Sequence, residues 1–119
     1  MVDGFVGTVE IERLSDSLCV LKLIGEHDLS TAPAVADAFR RIRENGTNVV
    51  VDLTHTSFID STVVGALIGY ADDGGAVLLV APADGAARRV LDLVGVTPRL
   101  RTFDTRDEAL RAVLPEHQL

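Results

Sequence analysis

Apolar positions along this chain of 119 residues change their period several times, and each change marks an element. In "FVGTVEIERL", residues 5–14, Val9 and Ile11 alternate with Thr8, Glu10 and Glu12. That two-residue period belongs to a strand with one face turned to a core. "SLCVLKLIG", residues 17–25, follows the turn-like "SDS" and is apolar almost throughout, so the two segments read as an opening hairpin with the second strand more buried. The spacing then becomes helical, with Val35, Ala38, Phe39 and Ile42 on one face. Ser30 or Thr31 can cap that helix, Pro33 is tolerated in its first turn, and "ENG" stops it.

"NVVVDL", residues 48–53, is a β-branched run of the kind covered on both faces, and "GAVLLVA", residues 75–81, repeats it after the turn "DDGG". Parallel neighbours need a connection of about a dozen residues or more. "SFIDSTVVGAL", residues 57–67, is therefore assigned to a helical crossover. "DGAARRVLDLVG" predicts another helix, with Ala87, Val90, Leu91 and Val94 on one face and Gly95 as its stop. "RLRTF" is a short last strand, and "TRDEALRAVL" opens with Thr105 and Glu108 in capping-box spacing and ends before Pro115. The order β-β-α-β-α-β-α-β-α predicts an α/β fold, a mostly parallel sheet with one antiparallel hairpin strand and helices packed on it. Length supports a single domain over residues 1–119, with its core from about residue 5 to 114 and a tail, "PEHQL", at 115–119.

Composition narrows the classes of function. An apolar fraction of 47% suffices for a core, and a net charge of −7 with a single lysine, Lys22, argues against a nucleic-acid partner. The longest apolar stretches fall short of the roughly 20 residues of a membrane span, and the start lacks the basic and apolar regions of a signal peptide. Cys19 has no second cysteine to pair with and lies in an apolar strand, where a buried thiol is expected. These features predict a cytoplasmic protein without membrane insertion.

Catalytic patterns are weak. A nucleophile elbow needs glycine two residues before and after its serine, whereas Ser61 is flanked there by Ile59 and Val63. A small serine hydrolase built from Ser61, His55 and an acid stays open as the least supported reading. His27, His55 and His117 are scattered and read as surface or turn residues, so no metal is expected. No GxGxxG or GxxxxGK pattern occurs, so no cofactor is expected either. Asp52 at the end of a central strand suits a phospho-accepting receiver domain, but the lysine such a domain needs after its last strand is missing.

"LIGEHDLSTA", "VVVDLTHTSFIDSTVVGALIG" and "VLDLVGV", in this order of elements, together resemble the STAS domain of anti-sigma factor antagonists from about residue 18 to 114. That family carries a motif Asp-Ser-Ser/Thr-Gly-Leu-Gly, which reads here Asp60-Ser61-Thr62-Val63-Val64-Gly65, with valine in the first glycine position. The resemblance implies that Ser61 is the phosphoacceptor, with Thr62 as fallback. Asp28 matches the aspartate of the family's Gly-Glu-Leu-Asp turn, with His27 in place of leucine. Asp28, Ser30, Asp60, Ser61, Thr62 and Val63 are then expected at the partner surface. The implied function is partner switching: the unphosphorylated protein binds an anti-sigma factor, itself a serine kinase, is released on phosphorylation, and is reset by a phosphatase. A STAS-type accessory subunit of a transport or signalling complex is the alternative, and a homodimer is left open. Asp60 and Ser61 are also good helix caps, so the tripeptide by itself asks for no more than helix initiation. Backbone N–H groups free at that helix start are expected to receive the phosphate. Gly65 and Gly69, four residues apart, suggest a close approach by the sheet or by a partner.

Overall fold

The computed structural model describes residues 7–45, 48–74 and 76–113. The expected tail at 115–119 with His117, the start of the expected core at residue 5, and the turn glycines Gly46 and Gly75 lie outside these residues. Strands β1 (Thr8–Ser15) and β2 (Leu18–His27) form the antiparallel hairpin, and α1 (Ala32–Glu44) follows. Then come β3 (Asn48–Asp52), β4 (Thr56–Ile59), α2 (Ser61–Asp72), β5 (Val77–Val80), α3 (Ala86–Leu93), β6 (Thr102–Phe103) and α4 (Arg106–Val113). The sheet order is β1-β2-β3-β5-β6, parallel except for β1, with β4 pairing β2 off this path.

Two cores follow from the alternation of β2 and β3. Cys19, Leu21, Leu23, Val49 and Val51 face the larger core, which α1, α2 and α3 close with Phe39, Leu67 and Leu91. Leu18, Val20, Val50 and Val80 point to the other face, where α4 supplies Ala109. Among the described residues α4 is the helix packed on that face, with Leu110 and Val113 beside Ala109. At α4 the expected capping box forms in both directions: Glu108 N–H donates to Thr105 Oγ1 at 3.2 Å, and Thr105 N–H donates to Glu108 Oε1 at 3.3 Å.

Three expectations are corrected. The crossover is not helical from its start, because residues 56–59 form β4 alongside the end of β2. The chain turns at Thr54–His55, Thr56 Oγ1 donates to Leu23 O at 2.7 Å, and Gly25 N–H donates to His55 O at 3.0 Å. Gly25, at φ +88°, takes up the accompanying shift of register between β2 and β4. Val94 is half exposed as the C-cap of α3, past the last turn that faces the core. A Cβ at Gly65 or Gly69 would meet nothing within 4 Å among the described residues, so the sheet does not approach either glycine.

Candidate functional site

The parallel pairing of β4 with β2 builds the site, because it brings two loops distant in sequence to one end of the sheet. Glu26 lies beside Phe58 and His27 beside Ile59. One residue further on, Asp60 N–H donates to His27 O at 3.1 Å. The Asp28 turn and the start of α2 are thus fastened to each other through the main chain.

Asp60 is the N-cap of α2. Its Oδ1 accepts from Thr62 N–H at 3.0 Å and Val63 N–H at 3.2 Å. Ser61 and Thr62 occupy the exposed side of the first turn. Val63 lies on the inner side and is fully buried in the larger core. Its side chain therefore lies in the core and not on the exposed surface expected of it. A second correction concerns the helix start: two of the N–H groups expected to receive a phosphate are already held by Asp60.

The turn before α1 has its own order. Asp28 Oδ1 accepts from Ser30 N–H at 2.8 Å and from Ser30 Oγ–H at 2.6 Å, while Thr31 and Ala32 N–H both donate to Asp28 O at 3.1 Å. The hydroxyl and amide of Ser30 hold the Asp28 carboxyl below its usual range. Ser30 acts here through Asp28, and Thr31 is the N-cap residue of α1. Leu29 projects from the tip of this turn into solvent.

His27 is buried, contrary to the surface position expected of it. Its Nδ1 lies 3.0 Å from Thr31 Oγ1 and its Nε2 lies 3.1 Å from Ile24 O. A carbonyl only accepts, so in the neutral ring Nε2 carries the proton and Nδ1 is the acceptor facing the threonine hydroxyl, whose one proton is shared between Nδ1 and Asp28 O at 3.3 Å. Burial pushes the imidazole pKa down, against the opposing pull of its hydrogen bonds and of Asp28.

A metal-like grouping of three or more His, Cys, Asp or Glu does not occur among the described residues. Asp52 is buried and committed to structure, accepting from Thr54 N–H at 3.0 Å, Thr54 Oγ1 at 2.5 Å and Arg106 Nε at 3.3 Å. It floors an open crevice of about 680 Å³ that Lys22, His55 and Arg106 help to line. No helix is long and apolar enough to cross a membrane among the described residues. Sequence reasoning missed Leu29 and Phe58 at this end of the sheet; the signal was present for Phe58 in the short β-prone run "TSFI", which the crossover assignment absorbed.

The sequence matches the STAS domain description over residues 9–109, most of the chain. The chain belongs to the STAS domain family. A comparison with curated proteins found no match. Among solved structures, an anti-sigma factor antagonist from Mycobacterium paratuberculosis is 26% identical over 95% of this chain and 98% of its own, with a TM-score of 0.82. The Bacillus anti-sigma factor antagonist SpoIIAA, a cell fate determinant, shares the fold in two forms. The unphosphorylated form has a TM-score of 0.70 at 22% identity, covering 91% of this chain and 100% of its own. The phosphorylated form has a TM-score of 0.67 at 22% identity, covering 90% and 100%. Within the STAS frame, Asp28, Ser30, Asp60, Ser61 and Thr62 lie at one end of the sheet.

Proposed function

We propose that this STAS domain is a cytoplasmic anti-sigma factor antagonist that works by partner switching. With Ser61 unmodified it binds an anti-sigma factor that is also an ATP-dependent serine kinase; phosphorylation of Ser61 releases it, and a phosphatase resets it. The observation that carries this reading is the exposed Ser61 at the first turn of α2, tied through Asp60 to the Asp28 turn. The Mycobacterium paratuberculosis antagonist of the same fold supports it.

A phosphate adds about −1.5 to −2 charges at neutral pH. Asp60 already occupies the amides of Thr62 and Val63, so the added charge is repelled by a neighbouring carboxylate and is directed toward the docking partner. Phosphorylation in this arrangement changes the surface and leaves the core packing intact. The test is phosphosite mapping of the protein isolated from its own cells under several growth conditions, with Thr62 scored as the fallback acceptor. Absence of phosphate from both residues in every condition removes the switch.

A further inference from the structure

Leu29 is 70% exposed and Phe58 47% exposed. Isolated apolar residues are common on protein surfaces and need no explanation. This pair differs in placement, order and electrostatic setting. Leu29 follows the end of β2 by two residues, and Phe58 sits on β4 beside Glu26, on the sheet face opposite the larger core and beyond the reach of α4. Leu29 lies three positions beyond Glu26, the ladder partner of Phe58, and two beyond His27, whose carbonyl holds the Asp60 amide next to Ser61. One interface of about 800 Å² per partner spans all three.

Both side chains stand on ordered backbone. The hydrogen bonds of Ser30 to Asp28 and of Thr31 to the Asp28 carbonyl fix the turn that carries Leu29, and the ladder with β2 fixes Phe58. Little conformational freedom is left to lose when a partner covers them. Around them lie Glu26, Asp28 and Asp60, none of which has an ion pair among the described residues. The arginines with described ion pairs are engaged elsewhere: Arg40 and Arg41 with Asp37, Arg43 with Asp73, Arg88 with Asp92 and Asp104, Arg99 with Asp72, Arg106 with Glu12 and Asp52.

We propose that Leu29 and Phe58 are the apolar anchors of the docking surface around Ser61, and that they enter an apolar pocket rimmed by lysine or arginine on the anti-sigma factor. The proposal rests on the partner-switching reading and names the chemistry of the partner's face. The uncompensated acids select a basic rim and speed encounter, while the two anchors set the lifetime of the complex. Phosphate on Ser61 adds charge at the border of the apolar pocket, where the partner was shaped for a neutral hydroxyl.

The experiment measures association and dissociation of the full chain with each purified kinase-type anti-sigma factor of the same genome, loaded with ADP. Leu29→Ser and Phe58→Ser are expected to raise the dissociation rate by about tenfold or more, with association and its salt dependence kept. Asp28→Asn and Glu26→Gln are expected to slow association and flatten its salt dependence. Leu14→Ser alters an apolar residue 40% exposed. It lies near the other end of β2, roughly 30 Å away, and is expected to leave both rates unchanged. Unfolding curves on every variant identify any loss caused by misfolding, and the largely exposed Leu29 guards against that outcome for Phe58. Wild-type binding that Leu29→Ser and Phe58→Ser leave intact overturns the anchors while partner switching stands. No binding of the wild type to any such factor overturns partner switching and the anchors with it.

Discussion

The carbonyl oxygen of His27 accepts the amide hydrogen of Asp60 at 3.1 Å, so the residue that ends β2 holds the residue that caps α2. On one side of this bond the Asp28 turn folds back on itself through Ser30 and Thr31; on the other the Asp60 carboxylate holds the first amides of the helix. A disturbance of either loop is therefore expected to reach the other through the main chain.

Removing the cap tests this coupling. Asp60→Ala loses the acceptor for two helix amides and is expected to lower stability by about 1 kcal/mol, read as a lower urea midpoint at unchanged slope. Asp60→Asn keeps an acceptor oxygen and should retain most of it. In Asp60→Ala, amide exchange should quicken at Thr62 and Val63 and also at Ser30 and Thr31. Faster exchange confined to α2 would show that the two loops are independent.

His27 gives the fold a pH dependence of definite sign. Its imidazole is buried and its pKa is lowered on folding, so the unfolded chain takes up a proton at a higher pH than the folded one. Stability is then fully present above the free imidazole value of about 6.5 and is lost as the pH falls from there through the folded-state value. His27→Leu has no ring to protonate, and its stability should be flatter across the same window. Thermal unfolding from pH 8 to pH 5 reads the difference; parallel curves for the two proteins would place the titration elsewhere.

The glycines of α2 separate local propensity from packing. Gly65 and Gly69 lie on the exposed side of the helix with nothing within 4 Å of an added Cβ. Gly65→Ala and Gly69→Ala should each stabilise the domain by about 0.5–1 kcal/mol. Gly95, at φ +79°, has as much room but a left-handed backbone, so Gly95→Ala should destabilise. Denaturation of the three variants suffices, and a loss of stability on Gly65→Ala would mean that a neighbour does pack there.

Much of this architecture was legible in the sequence because it rests on periodicity and caps. The β-branched run at residues 49–51 and the Thr105–Glu108 box each report a local rule that the tertiary structure obeys. On β1, by contrast, Val9 is only partly buried and Ile11, expected on the same core-facing side, is 40% exposed. β4 showed in the sequence only as the short β-prone run "TSFI"; its pairing with β2, a contact about 30 positions away, was not legible. His27 was misplaced for a related reason: its burial depends on Thr31 across a turn and on the end of β1, where a Cβ on Gly7 would lie 2.5 Å from the ring nitrogen Nε2. The motif named Asp60 and Ser61 correctly as neighbours on a helix start. Which side Val63 takes was set by the phase of α2 against the sheet, and the motif does not encode that phase.

Val63 allows that phase to be tested. Its side chain is fully buried beside Val64 and Leu67, whereas Ser61 and Thr62 stay exposed one turn position away. Val63→Gly, which restores the glycine of the family motif, removes buried carbon from the core and adds a flexible residue to the first turn. It should lower stability by about 2–4 kcal/mol, and Val63→Ala by a smaller amount from the same cause. Because the valine does not project toward the hydroxyl side, the rate at which a kinase-type anti-sigma factor phosphorylates folded protein should be the same for wild type and Val63→Ala. A faster rate without loss of stability would place Val63 at the surface beside Ser61 and would require α2 to be rotated about its axis from the orientation that its buried residues define.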